Sequence, residues 1–277
     1  CQIIIMGKYK ILIATHPFAK TGRKTLELLE ATGWDLKFNP FGRRLKLGDI
    51  EEIIDDVDAI IAGTEPYPAE ILKKSKVKVI SRVGIGLDNV PLKECKELGM
   101  QVTYTPDAPS QGVAELTVGN IINLARHVLP SDRSVREGAW NRLMGLLVSD
   151  MTIGIVGVGR IGKIVIELLQ SFKPNLLVCD IDQDLEFGKR YNLKWCDKEE
   201  IFERSDIVSL HIPGSARNHQ YLDRSTISKM KTGAAVINTS RGMVVDEKAL
   251  YDALVQKHLS GAALDVFVHE PYEGPLQ

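Results

Sequence analysis

Gly157, Gly159 and Gly162 stand two and three residues apart, directly after the apolar run TIGIV and at the head of the amphipathic run RIGKIVIELLQSF. Glycines at that spacing between a strand and a helix suit the approach of a pyrophosphate. The first makes a tight turn, the second lets the backbone come close to the phosphates, and the third lets helix and strand pack closely. The free amides of the helix N-terminus then face the anion. Alone the pattern is weak, because glycine turns also join strands to helices with no ligand. Asp180 strengthens it: it ends the next apolar run, NLLVCD, 18 positions past Gly162, where a carboxylate accepts hydrogen bonds from adenosine ribose hydroxyls. Asp182 lies close by and would repel a 2′-phosphate, which favours NAD over NADP. Arg160, within the turn, is a cation set against that expectation.

The elements that must position these groups follow from the surrounding pattern. From Tyr9 to Thr105 the strand-type runs YKILIAT, DLKFN, DAIIAG, VKVISRV and QVTYT alternate with the helical patterns TGRKTLELLEATG, LGDIEEIIDDV, PAEILKKS and PLKECKELG. This alternation predicts a parallel sheet with helices on its faces, a complete small doubly wound domain over residues 1–105. Pro106 and Pro109 punctuate the chain ahead of a helix ending near Pro130, so a hinge is expected near residue 106. Alternation restarts at MTIGIVG and runs through NLLVCD, KWC, DIVSLHI, GAAVINT and GAALDVF. Six strands are the count of a full dinucleotide-binding domain, placed over residues 106–277.

The chain of 277 residues suits two α/β domains, each able to bury its own core. With 44% hydrophobic and 26% charged residues it has a globular composition, and a net charge of −1 offers no field to draw nucleic acid or a membrane surface. No apolar run approaches the length of a membrane span, and the apolar block near the start is short for a signal peptide. The expected location is the cytoplasm. Met6-Gly7-Lys8 reads as a natural beginning, with Cys1 to Ile5 an addition ahead of it. Cys1, Cys95, Cys179 and Cys196 are far apart, without metal or dithiol spacing, and are expected to be unpaired thiols.

VINTSRGMVVDEKAL and GAALDVFVHEP, together with SRVGIGLDNV, GVAELTVGNIINLAR and SLHIP, give the sequence a family likeness. It resembles the D-isomer-specific 2-hydroxyacid dehydrogenases, most closely the phosphoglycerate dehydrogenase branch, from about residue 9 onward. The resemblance implies two doubly wound parallel-sheet domains, a flavodoxin-like substrate domain and a Rossmann NAD-binding domain, with a cleft between them. It implies NAD as cofactor and a small 2-hydroxy or 2-oxo acid as substrate, 3-phosphoglycerate among those expected. Arg241 then binds the substrate carboxylate and carbonyl oxygen, as its planar donors can. Asp265 contacts the nicotinamide carboxamide, and Glu270 pairs with a catalytic histidine, favouring its charged form. Thr239, Ser240, Arg160 and Ile161 touch the cofactor, and His211 and Pro213 line its site. Backbone amides around Val83 and Gly84, with Arg82 as an extra cation, are implied at the substrate carboxylate. Relatives dimerise through the helix corresponding to residues 112–128, so a homodimer is expected.

One departure stands out. The family's acid-base histidine lies in a Pro-His motif one strand further on, and none of the six histidines stands in that motif before Gln277. His16 and His127 precede the glycine turn, His211 belongs to LHIP, His219 to the loop after it, and His258 to a helix end. His269 adjoins Glu270, but chain neighbours normally point apart. The segment that completes the first domain in relatives is likewise expected beyond Gln277. Two readings follow: a longer dehydrogenase of which this is a part, or a chain that binds NAD with little turnover, as a corepressor-like sensing module would.

Overall fold

Short apolar runs set between amphipathic helices build two parallel sheets in the computed structural model, which describes residues 9–20 and 22–276. The reading of Cys1 to Ile5 lies outside the described residues. The chain divides into two compact units, Cys1–Pro109 and Ser110–Gln277.

The first unit carries β1 (Lys10–Ile13), β2 (Asp35–Phe38), β3 (Ala59–Ala62), β4 (Val79–Arg82) and β5 (Gln101–Tyr104), interleaved with α1 (Lys24–Glu30), α2 (Leu47–Ile53), α3 (Ala69–Lys74) and α4 (Leu92–Glu97). The strands are all parallel in the order β2-β1-β3-β4-β5, the flavodoxin-like arrangement. Alternation along the strands puts Leu12, Ile60 and Ile80 on one face, where they are fully buried against Ile50 of α2 and Leu72 of α3. Each such side chain contributes about 1.5–3 kcal/mol relative to exposure. The order reverses between β1 and β3, so Thr15 and Gly63, just past their ends, mark the edge where such sheets take ligands.

The second unit opens with α5 (Ala108–Arg126) and α6 (Val128–Arg136), then runs β6 (Thr152–Val156), α7 (Arg160–Leu169), β7 (Asn175–Cys179), α8 (Leu185–Arg190), β8 (Lys194–Trp195), α9 (Lys198–Arg204), β9 (Ile207–Leu210), α10 (Arg224–Lys229), β10 (Ala234–Asn238), α11 (Glu247–Val255) and β11 (Leu259–Leu264). The sheet order β11-β10-β9-β6-β7-β8 is that of a Rossmann domain, with its reversal between β6 and β9. Central strands are mainly apolar because both faces are covered, with Ser209 and Asn238 the buried polar residues of β9 and β10. Val156, Val208 and Val236 pack toward α9, α10 and α11, while Ile155, Ile207 and Ile237 pack toward α5 and α7.

The helix expected to stop near Pro130 behaves differently. It ends at Arg126, His127 takes a left-handed conformation (φ 52°), and a second helix, α6, starts at once with Pro130 in its first turn. First-turn amides have no partner inside a helix, so a proline there loses nothing. Pro109 sits the same way at the head of α5. No described helix is long and apolar enough to cross a membrane.

Candidate functional site

The glycine turn follows β6, the strand at the reversal of the sheet. Gly157 has φ 94°, a conformation side chains rarely adopt, and a Cβ there would stand 2.5 Å from the His211 carbonyl oxygen. A Cβ on Gly162 would stand 2.0 Å from the Gly157 oxygen, so α7 can close on the turn only with glycine there. Gly159 is the opposite case: a Cβ on it meets nothing within 4 Å beyond its own neighbours. It is also the N-cap of α7, and no side chain caps the helix, which leaves the first amides to an outside acceptor. Arg160 is exposed beside it, and Ile161 packs into the core beneath.

Asp180 lies just past β7. One carboxylate oxygen accepts the Val158 N–H of the glycine turn at 2.6 Å and the other accepts the Asp182 N–H at 3.0 Å. The carboxylate is thereby fixed at the rim of the turn with lone pairs left over. An open approach at Gly159, uncapped helix amides and an anchored acid are what a dinucleotide requires, and these residues fit NAD.

The end of β9 adjoins this turn, and the end of β10 comes next along the same sheet edge. His211 contributes its carbonyl against Gly157, while its ring Nε2 meets Ser209 Oγ at 2.9 Å. Burial lowers its pKa to about 4, so the ring is neutral at neutral pH, and its Nδ1 is buried without a hydrogen-bond partner among the described residues. Pro213, two residues on, is exposed. At β10, Asn238 organises the turn: its Oδ1 accepts both the N–H (3.1 Å) and the Oγ (2.8 Å) of Ser240, and its Nδ2 donates to the Arg241 carbonyl at 2.9 Å. Thr239 is buried and shares a 3.1 Å hydroxyl contact with Thr117 of α5. Arg241 donates through Nη1 to the Ser240 carbonyl at 2.7 Å. Its stem passes Gly214, where a Cβ would stand 2.9 Å from the Arg241 Cγ.

Asp265 follows β11, and its N–H donates to the Asn238 carbonyl at 3.0 Å, so it shares a sheet edge with the Arg241 turn. Partial burial, and after it the charge of Glu270, raises the Asp265 pKa. Glu270 is exposed and accepts the Phe267 N–H at 3.1 Å. His269 is exposed too. The second unit therefore gathers the glycine turn, Asp180, His211, Ser240, Arg241, Asp265 and Glu270 at the C-terminal edge of one sheet.

In the first unit Arg82 is 8% exposed, and its guanidinium donates to the Val83 carbonyl, beneath the turn. The amides named from the sequence already have partners: Val83 N–H donates to the Ala62 carbonyl at 2.8 Å, and Gly84 N–H to Thr105 Oγ1 at 2.7 Å. A carboxylate bound by these two amides has to replace those bonds. A cavity of about 850 Å3 opens beside them, with Thr15, Phe18, Leu28 and Thr105 among its lining residues.

Residues 118–276, more than half of the chain, match the family model for the NAD binding domain of D-isomer specific 2-hydroxyacid dehydrogenases. The chain belongs to the D-isomer specific 2-hydroxyacid dehydrogenase family. It is 34% identical over 276 residues to the hydroxypyruvate reductase of Thermotoga maritima, covering 96% of this chain and 85% of that protein. It is 35% identical over 228 residues to the D-3-phosphoglycerate dehydrogenase of Methanocaldococcus jannaschii, which covers 80% of this chain but only 44% of that longer protein. The crystal structure of a glyoxylate reductase from Paecilomyes thermophila superposes with a TM-score of 0.82 at 26% identity, covering 98% of this chain and 85% of that one. These relatives of the dehydrogenase family are NAD-dependent oxidoreductases, and their names cite three different acids.

Several supporting residues of this dehydrogenase family member escaped the sequence reading. Asn238 stands inside VINTSRG and could have been flagged as a buried polar residue ending an apolar strand. Thr117 and Thr105 carried no signal, since their partners lie far away in sequence. Among the described residues no group of three or more His, Cys, Asp or Glu is placed to hold a metal ion.

Proposed function

We propose that the chain carries out hydride transfer between NAD and the C2 carbon of a small D-2-hydroxy or 2-oxo acid. The observation that carries this reading is the shared sheet edge: the dinucleotide turn, the Arg241 turn and the Asp265–Glu270 loop leave the same end of one sheet from β6, β10 and β11, with the end of β9 between the first two. When bound, the nicotinamide supplies or takes up the hydride. Asp180 accepts from the adenosine ribose, and the α7 amides and Arg160 face the pyrophosphate. Ile161, His211, Pro213, Thr239 and Ser240 line the remainder, with Asp265 accepting from the carboxamide.

Arg241 holds the substrate carboxylate and polarises the C2 carbonyl, so that negative charge growing on its oxygen is met by a fixed cation. Glu270 is the carboxylate of an acid-base pair. With an imidazole beside it, this carboxylate would favour the imidazolium, a proton donor to the C2 oxygen in reduction and the acceptor in oxidation; none of the six histidines stands in the family's Pro-His motif. Arg82 supports the Val83–Gly84 turn of the first unit, whose amides are proposed to take a carboxylate in exchange for their bonds to Ala62 and Thr105. Glyoxylate, hydroxypyruvate and 3-phosphohydroxypyruvate are the substrates of first choice, in the cytoplasm.

The same reading includes a homodimer. On and after α6, Leu129 (66% exposed), Trp140 (89%) and Met144 (80%) leave apolar side chains open to water that a second copy could cover. Light scattering of the purified protein at working concentration checks this, and a monomer refutes it. The function itself is tested by NADH oxidation, followed at 340 nm, with those three acids and pyruvate in the protein carried through its full encoded length. Turnover of at least one is expected; no turnover of any refutes the proposal.

A further inference from the structure

The loop that bears Asp265 and Glu270 lies on the Arg241 turn at very short range. A Cβ on Gly242 would stand 2.0 Å from the Phe267 carbonyl carbon and 2.3 Å from the Val268 nitrogen, so backbone rests on backbone one residue after Arg241. Such a contact limits how far apart the two segments are. It does not set how the loop is turned, because van der Waals contact has little directionality.

Direction comes from hydrogen bonds. Val268 N–H donates to Glu247 Oε1 at 2.8 Å, across 21 residues of sequence, while Phe267 N–H donates to Glu270 Oε1. Glu247 is the first residue of α11, where a carboxylate is favoured by the helix N-terminus. The helix is a firm base: Asp246 caps it by accepting the Ala249 N–H at 3.0 Å, and Ala249, Leu250 and Ala253 anchor it in the core. The neighbouring cations Lys248 and Arg224 pair with Asp252, so Glu247 acts on the loop amide.

We infer that Glu247 is a positioning residue of the active site, which holds the Val268 amide so that the Asp265–Glu270 loop keeps its orientation on the Arg241 turn. Two adjacent loop amides, at 267 and 268, each take a carboxylate acceptor. With Glu247 serving one, Glu270 serves only the other; without Glu247, both amides compete for the Glu270 carboxylate and draw it into its own loop. The inference rests on the dehydrogenase reading for its effect on turnover, and on the hydrogen bond alone for its effect on the loop.

The test compares E247A and E247Q with the wild type in the full chain, by hydrogen exchange at Val268, NADH binding, thermal unfolding and steady-state kinetics with hydroxypyruvate and glyoxylate. In E247A the Val268 amide is expected to exchange on the order of tenfold faster, as for one lost charge-assisted hydrogen bond. The kcat should fall on the order of tenfold, the scale of a small misplacement at a reacting site, with NADH affinity and melting temperature nearly unchanged. E247Q keeps an acceptor oxygen of the same shape and is expected to restore most of both. Unchanged exchange in E247A overturns the inference, as does wild-type turnover despite faster exchange, or equal loss in E247A and E247Q. If the wild type turns over neither these two acids nor 3-phosphohydroxypyruvate and pyruvate, the dehydrogenase reading fails instead, and exchange at Val268 still decides whether Glu247 holds the loop.

Discussion

Gly159 and Gly162 offer paired substitutions to alanine that separate ligand approach from fold. At Gly162 a Cβ would stand 2.0 Å from the Gly157 oxygen, against 3.4 Å for ordinary contact, so backbone on one side must move by about 1.4 Å. Overpacking of that kind costs about 1–3 kcal/mol, from which alanine's better helix propensity recovers somewhat under 1. The net loss of up to about 2 kcal/mol should lower the melting temperature of a domain of this size by up to roughly 8 °C, and NADH affinity should fall with it because the turn is displaced. At Gly159 the backbone (φ −76°, ψ −158°) is open to any residue, and nothing within 4 Å opposes a methyl group. The weaker N-cap is offset by reduced freedom of the unfolded chain, which leaves stability within about 1 kcal/mol of wild type. The methyl group does stand where the pyrophosphate approaches, so NADH affinity should fall on the order of tenfold or more. Differential scanning fluorimetry and NADH fluorescence titration on both variants decide the matter. Wild-type NADH affinity in G159A would refute the assignment of the open space, and equal melting temperatures for the two variants would refute the packing argument.

R241K keeps a charge but loses the planar fork, so turnover should fall on the order of 10²- to 10³-fold while NADH binding stays near wild type; stopped-flow and equilibrium titration separate the two. D180A removes the ribose acceptor and half of the negative field, and the NADH-to-NADPH affinity ratio should fall on the order of tenfold in competitive titration. His211 gives a pH prediction. Its folded pKa of about 4 lies below the ordinary value of 6.5, so the unfolded chain binds the extra proton between those values. Its stability is then fully present above pH 6.5 and lost as pH falls toward 4, by about 3 kcal/mol in all. Urea unfolding of H211Q should show a flatter limb than wild type between pH 6.5 and 4, and parallel curves would contradict the buried neutral ring.

The second unit was legible as a fold because its central strands are buried on both faces and therefore read as apolar runs, such as IGIV within β6 and LLVC within β7. The glycine turn and Asp180 were legible because their chemistry is local: spacing along the chain is itself the geometry. Pro130 was misleading for a local reason too, since a proline that ends one helix and a proline that begins the next look alike until the left-handed His127 between them is seen. The Val83 and Gly84 amides were nominated from a glycine-rich turn, and only the folded domain shows that Ala62 and Thr105 already accept from them.

What spacing could not carry is the assembly of Arg241, Asp265 and Glu270, which strand pairing brings about. β10 and β11 are parallel and, past a one-residue register shift at Ser260, run matched from Ala235 opposite Gly261 to Asn238 opposite Leu264, so the residues just beyond each strand must emerge side by side. Asn238 then does two jobs from one place: its side chain shapes the Ser240–Arg241 turn, and its carbonyl takes the Asp265 amide. The acidic loop and the cationic turn are thus referenced to a single buried residue, with Gly242 and Glu247 fixing distance and direction beyond it. A slip of β11 by one residue would turn Asp265 to the other face of the sheet and carry Val268 off Glu247, while leaving the glycine turn intact. On the proposed reading the ribose and pyrophosphate therefore depend on a local motif after β6, while turnover depends on the pairing of the last two strands of the same sheet.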